Sequence, residues 1–189
     1  FYRADGTPHP VGHVLRNPAL GQVLRQLAAQ GTAVFYRGAV AQDMVARVRS
    51  HPAAPGQLTL ADLAGYDSLE RTPLCTDWTE RYRVCGMPPP SSGHLATMQI
   101  LGMLQFKPPL AQPLVDGIPG APWLHLYTEA ARLAFADRAL YVADPRFVPA
   151  PAEDWNSLLA PAYLKQRAAL IGARAMDTVP AGVPALPRR

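Results

Sequence analysis

Asp137 and Arg138 are two charged residues in an otherwise apolar segment, "EAARLAFADRALYVADP" at residues 129–145. In a helix that begins near Trp123 they fall on two different faces, and both faces are apolar enough to be buried. The stripe expected to face water is narrow and consists of His125, Glu129 and Arg132. Burial of an unpaired charge is costly, and adjacent helical residues do not face each other. Each charge therefore needs its own partner, unless Asp137 is a general acid or base in a cleft.

A second candidate for chemistry is the pair Ser91 and Ser92 beside His94, in "MPPPSSGHLATMQILGMLQF". A serine close to a histidine suggests a nucleophile with its base. However, the G-x-S-x-G context is missing, and no acidic residue is placed to orient the histidine. Serines at the start of a helix are common caps. We therefore interpret both serines as caps, and the apolar run from Leu95 to Leu104 predicts a buried helix.

The histidines and cysteines do not have the spacing of a metal site. His9 and His13 are four residues apart, but Pro10 and Gly12 between them argue against a helix, so we expect ordinary loop histidines. The sequence lacks a C-x-x-C pattern and any paired Cys and His ligands. Zinc binding is therefore unsupported.

Cys75 and Cys85 lie in a predicted β-hairpin, "PLCTDWTERYRVCGMP". If Thr79, Glu80 and Arg81 form a three-residue turn, Cys75 lies directly opposite Cys85. Their Cα atoms should then be about 4.4 to 6.8 Å apart, which suits a disulfide. The sequence favours a cross-strand disulfide and two free, half-buried thiols equally.

Composition restricts the class of protein. The chain has 189 residues, of which 49% are hydrophobic, and this is enough for one sizeable domain with a real core. Its net charge is +4, but the arginines are scattered instead of clustered, which disfavours nucleic-acid binding. No apolar run reaches the about 18 residues of a membrane span. Because the first residue is Phe1, we expect a processed or truncated piece.

The predicted architecture is α+β: mostly helical, with one clear hairpin. Helices are expected from the Asn17 cap to Gly31, at about Ala39–Arg49, after the Thr59 cap, at Leu95–Leu104, from about Trp123, and at Pro161–Ile171. We expect residues 1–189 to form a single partial domain. Residues 173–189 have few apolar anchors, and we expect them to be a mobile tail.

Four segments in order resemble the large subunit of γ-glutamyltransferases, also called γ-glutamyltranspeptidases. These segments are "NPALGQVLRQLAAQGTAVFYRGAVAQDMV", "LTLADLAGYDSLERTPL", "GMPPPSSGHLATMQIL" and "EAARLAFADRALYVADPRFV". The resemblance covers about residues 12–172 and corresponds to the later part of that subunit. It places Asp137 and Arg138 on the family's "DR" within a scaffold helix, which favours the structural interpretation of both charges.

The resemblance implies an enzyme made as one precursor that cuts itself into two subunits, with the four-layer αββα fold of N-terminal-nucleophile hydrolases. The N-terminal Thr of the small subunit would attack the γ-glutamyl carbonyl of a glutathione-like donor, with its own amine as base. Water or an amino acid or peptide would then accept the γ-glutamyl group. No metal or organic cofactor is implied. The implied partners are the small subunit and the remaining large-subunit segment, and the implied location is periplasmic or secreted.

The family's catalytic positions all lie outside this chain, so we assign no residue here as catalytic, cofactor-binding or metal-binding. Phe1 cannot itself be the nucleophile, and we expect the chain alone to be inactive. Two alternatives remain. One is a related enzyme, such as a cephalosporin or glutaryl acylase or a poly-γ-glutamate-cleaving enzyme. The other is a helical interaction module without catalysis.

Overall fold

The structure, a computed structural model, describes residues 1–185 and begins with a helical unit at Phe1–Leu69. Its helices are α1 (Pro18–Gln30), α2 (Ala33–Arg37), α3 (Ala39–Arg49) and α4 (Leu60–Ala64). Helix α1 begins as predicted, because the Asn17 side chain accepts a hydrogen bond from the Leu20 N–H. Thr59 and Asp62 form a reciprocal capping box at α4. Helix α2 was not predicted.

The second unit begins at Glu70 with the predicted hairpin. Strand β1 (Leu74–Trp78) pairs antiparallel with β2 (Tyr82–Gly86), and Cys75 lies opposite Cys85. The register prediction is confirmed, and the two cysteines form a disulfide. Their Cα atoms are 4.1 Å apart, slightly closer than expected. The cross-strand alternative that the sequence left open is therefore the one observed.

A second, smaller hairpin was not predicted. Strands β3 (Leu114–Val115) and β4 (Ile118–Pro119) are joined by Asp116 and Gly117, whose φ angles are 52° and 78°. Two successive positive φ values are typical of the tight turn that suits a two-residue hairpin, and an Asp-Gly pair adopts them readily. The Asp-Gly pair is thus the local sequence signal for this hairpin.

Three helices build the core of the second unit: α5 (Gly93–Leu104), α6 (Ala121–Tyr141) and α7 (Pro161–Ala168). Short 3-10 turns at Pro151–Glu153 and Trp155–Leu159 connect α6 to α7. The buried apolar side chains shared by the helices are Ile100, Met103, Ala130, Leu133, Ala134, Leu164, Ala168 and Ile171. A second cluster contains Leu95, Met98 and Leu159. The prediction that the run up to Leu104 is a buried helix is confirmed.

Helix α6 differs from its prediction, because only one of its sides is covered. Leu124 and Phe135 are 45% and 54% exposed, and Arg138 on the same side is exposed as well. Conversely, Glu129, which was expected to face water, is buried. The predicted burial of Arg138 is therefore wrong. The sequence shows two apolar sides of this helix but not which one the other helices cover.

The α+β class, mostly helical with a hairpin, is confirmed. Within residues 1–185, a helix with both the length and the hydropathy of a membrane span is not found. The single partial domain over 1–189 stays a prediction. So does the mobility of residues 173–189, although Met176, Pro180 and Gly182 make hydrogen bonds to the helices. The last part of that tail, residues 186–189, lies outside the described residues.

Candidate functional site

Asp137 is the centre of a buried polar cluster. It is 1% exposed. Its Oδ2 atom accepts hydrogen bonds from Gln99 Nε2 at 2.9 Å and from the Tyr163 hydroxyl at 2.8 Å. Its Oδ1 atom accepts from Arg167 Nη2 at 3.0 Å and from the Gly182 N–H at 2.8 Å. Four donors on two oxygens satisfy the carboxylate without any water or substrate.

The four donors lie outside α6. Their hydrogen bonds to Asp137 join their segments to this helix. Arg167 lies on α7, is also buried, and donates through Nη2 to the carbonyl oxygens of Leu133 and Pro180 as well. Burial, together with the hydrogen bond and negative charge of Asp137, raises the pKa of Tyr163 well above its usual range. Tyr163 therefore remains a protonated donor. The arrangement ties helices together, and every donor to Asp137 is a group of the protein itself.

Glu129 is a second buried carboxylate on α6. Its Oε1 atom accepts from Arg132 Nη1 at 2.7 Å, and its Oε2 atom accepts from the Met176 N–H at 2.8 Å. Burial acts to raise the pKa of Glu129, but the Met176 hydrogen bond and the Arg132 guanidinium outweigh it, so the pKa lies below its usual value. Glu129 is thus a buried anion whose partners include the backbone of the tail.

Ser92 and His94 do not form a catalytic pair. Ser92 Oγ accepts a hydrogen bond from Arg138 Nε at 2.8 Å and does not cap α5 with its side chain. Ser92 occupies the N-cap position of α5 as predicted, but the expected capping hydrogen bond from its side chain is not made. His94 shares a hydrogen bond with Thr76 Oγ1 at 3.2 Å, and burial lowers the pKa of its ring. The histidine packs under the hairpin instead of activating a serine.

The remaining candidates do not gather into a site. His9 and His13 stack in a loop with ring centres 3.8 Å apart, as loop histidines can. Within residues 1–185, no group of three or more His, Cys, Asp or Glu side chains is arranged to hold a metal ion. A surface pocket of about 330 Å³ in the first unit is lined by Tyr36, Tyr66 and Asp67 but by no histidine or cysteine. The expectation that this chain carries no catalytic residue stays a prediction.

Asp137 is recognisable from the sequence, but its partners were not predicted. Tyr163 and Arg167 are four residues apart on the last helix, so they share a face. That spacing was the available signal for a buried acid nearby. Gln99 had no signal, since it lies in the middle of an apolar run. Gly182, in a segment expected to be mobile, was not predicted to touch the core.

Comparisons with known proteins identify the family of this chain. A family model described as Gamma-glutamyltranspeptidase matches residues 1–186. The chain is 34% identical over 161 residues to a protein of Escherichia coli (strain K12) named "Glutathione hydrolase proenzyme". That match covers 85% of this chain and 26% of the relative. The chain therefore spans about a quarter of the length of this curated relative.

Solved structures share the fold. The gamma-glutamyltranspeptidase of Pseudomonas nitroreducens, solved with L-DON, superposes with a TM-score of 0.67 at 29% identity, over 89% of this chain and 49% of that one. A cephalosporin acylase from Bacillus halodurans gives a TM-score of 0.70 at 29% identity, over 95% of this chain and 31% of that one. The expected fold class is thus that of the solved relatives.

Proposed function

This chain belongs to the gamma-glutamyltranspeptidase family, and from that premise we propose that it is a scaffold segment of an enzyme that cleaves γ-glutamyl amide bonds. The observation that carries the proposal is the family match over residues 1–186. The E. coli relative is named a glutathione hydrolase, which supports glutathione-like donors. The γ-glutamyl group would pass to water or to an amino acid or peptide.

The chemistry belongs to another part of the full-length protein. In the proposed mechanism the hydroxyl of an N-terminal Thr of the small subunit attacks the γ-glutamyl carbonyl and gives its proton to the amine of the same Thr. The amine product takes up this proton and leaves as the amide C–N bond breaks, which forms the acyl-Thr intermediate. Within residues 1–185, no serine hydroxyl bonds to a histidine ring, and Asp137 is saturated with donors. This segment would hold the fold that positions the nucleophile.

The proposed partners are the small subunit and the rest of the large subunit of the same precursor. The name of the E. coli relative, a proenzyme, supports a precursor. Its maturation would be the hydrolysis of one peptide bond, which consumes a water and yields a new carboxylate and a new amine. The Cys75–Cys85 disulfide supports a periplasmic or secreted location, because disulfides persist mainly in oxidising compartments.

A second candidate function is that of a related acylase. The likeness to a cephalosporin acylase favours it, because this scaffold is shared between the two activities. Among residues 1–185 we assign none to substrate binding, so none of them is assigned a role in distinguishing a γ-glutamyl from a glutaryl donor. The choice between them therefore depends on residues elsewhere in the protein.

The test is to assay the full-length gene product with a γ-glutamyl anilide and with a glutaryl anilide. We expect turnover of the first after maturation, and loss of this turnover when the N-terminal Thr of the small subunit is replaced by Ala. Preference for the glutaryl compound would favour the acylase. Residues 1–189 alone, compared with a heat-denatured sample, should be inert, and turnover by them would contradict the scaffold role.

A further inference from the structure

Residues 172–182, here called the strap, run beside α6, and side chains of the helices hold their backbone. His125 Nε2 bonds to the Gly172 carbonyl oxygen at 2.8 Å. Further along the strap, the Glu129 carboxylate accepts from the Met176 N–H at 2.8 Å. At its end, the Gly182 N–H donates to Asp137 at 2.8 Å.

Two more hydrogen bonds hold the end of the strap. The Tyr141 hydroxyl donates to the Gly182 carbonyl oxygen at 2.7 Å, and Arg167 Nη2 donates to that of Pro180 at 2.8 Å. The side chains of Met176 and Val179 pack against the main core. The strap is therefore held by buried charges at defined backbone atoms as well as by apolar contact.

Gly182 is needed for the close approach of the strap to α7. A Cβ atom at this position would overlap the Tyr163 hydroxyl and come within 2.8 Å of Arg167 Cδ. Both side chains are buried and hydrogen-bonded to Asp137, so they cannot easily move aside. Gly172 is the opposite case, because a Cβ there would meet no atom within 4 Å. The two glycines form a matched pair for substitution.

The carboxylates give the strap a register that apolar packing alone would not. A buried charge that loses its partner is strongly destabilising. Glu129 and Asp137 each take a strap N–H, and a slip of the strap by one residue would move both donors away. Side chains of Met or Val could tolerate such a slip by repacking. The register is thus fixed by the two acids.

We propose that Glu129 and Asp137 are positioning residues, which hold the strap so that the polypeptide beyond it is presented in one direction for conversion of the precursor into two subunits. This rests on the proposed function and on the resemblance to the later part of the large subunit, which implies that the small subunit follows this segment in the precursor. Neither acid contacts the reacting atoms in this proposal. Their effect is on the position of the strap up to Gly182.

The test measures the rate of precursor conversion for the full-length gene product, by gel, well below the melting temperature. We expect Gly182→Ala to slow conversion by at least about tenfold, because misplacing a reacting group by about 1 Å can cost on the order of a hundredfold. Gly172→Ala should convert within about twofold of the unchanged protein, since it leaves every strap contact in place. Met98→Ala, in the separate Leu95 cluster, controls for lost stability alone.

A second series of variants, at Glu129, keeps the proposal testable if Gly182→Ala does not fold. Glu129→Ala removes the acceptor for the Met176 N–H and should slow conversion, whereas Glu129→Gln keeps an acceptor oxygen and should restore part of the rate. Hydrogen exchange at the amides of Met176 and Gly182 should speed up in the slow variants. Partial rescue together with faster exchange would support the proposal.

Two outcomes are decisive against it. Normal conversion in a variant whose strap amides exchange freely would overturn the positioning role while leaving the proposed function intact. If Met98→Ala slows conversion to the same degree, lost stability alone explains the slower conversion, and the positioning role is also overturned. By contrast, an unchanged precursor that converts, depends on Gly182 and has no γ-glutamyl turnover would contradict only the proposed function. A precursor that never converts would contradict both.

Discussion

The hydroxyl of Ser92 accepts a hydrogen bond from Arg138 Nε, 2.8 Å away and 46 residues later in the chain. The bond links the start of α5 to the last turn of α6. Arg138 also lies over the ring of Phe135, with 5.6 Å between the guanidinium carbon and the ring centre. A serine that looked like a nucleophile is thus an acceptor that orients an exposed arginine.

Replacing Ser92 by Ala in the full-length protein should leave turnover unchanged. Loss of one exposed hydrogen bond to a charged donor should cost about 1 kcal/mol of unfolding free energy or less. Chemical denaturation and the anilide assay measure the two quantities, with Ser91→Ala as the neighbouring control. A hundredfold loss of turnover with a normal melting temperature would make Ser92 a candidate nucleophile again.

Asp137→Ala should destabilise the protein by about 3 to 5 kcal/mol, because it leaves Arg167 charged, buried and without its carboxylate. Asp137→Asn should cost less, since its amide oxygen can still accept from one or two of the donors. Denaturant unfolding of both variants measures the difference. Asp137→Ala that unfolds normally yet has lost turnover would instead indicate a catalytic carboxylate.

The stability of the protein should fall in acid partly through Glu129. The pKa of this group is below its usual 4.5 in the folded state, so the unfolded chain takes up the proton first as the pH drops. Its stabilising contribution is present above about pH 4.5 and is lost as the pH falls through the lowered pKa. Unfolding free energies measured between pH 7 and 3 should depend less on pH in Glu129→Gln, and an equal pH dependence would contradict this assignment.

Gly86→Ala should loosen the hairpin from α5. A Cβ at position 86 would come within 2.7 Å of His94 Cβ, and this atom is fixed by the helix backbone. Such overpacking costs about 1 to 3 kcal/mol. Gly93→Ala is the matched control, since a Cβ there meets nothing within 4 Å. Thermal melts compare the two variants. Equal melting temperatures would show that His94 can move to make room for the added Cβ atom.

Local chemistry made much of the fold predictable from sequence. The caps at Asn17 and Thr59 and the hairpin register depend on residues close in the chain, and the structure has all three. The burial of Glu129 and the exposure of Arg138 depend on which segments pack against α6. Periodicity within the helix carries no information about those distant neighbours.

In the candidate site, too, local features were predictable from the sequence and distant contacts were not. Asp137 could be selected from its own position, because a charge on an apolar face requires partners. The identity of the donors depends on the path of α7 and of the chain beyond it. Gly182 is the clearest case, since its role comes from the close approach of Tyr163 and Arg167 and not from any local turn.

The α6 residues that bind the strap, here called its anchors, restrict the number of residues between successive strap contacts. His125, Glu129, Asp137 and Tyr141 are separated by multiples of four residues, and each four-residue step advances about 6 Å along the helix. The strap runs past them in the same direction, from Gly172 to Gly182. Relatives should therefore vary in the kind of residue between these anchors more readily than in the number, because one inserted or deleted residue would separate Met176 or Gly182 from its carboxylate.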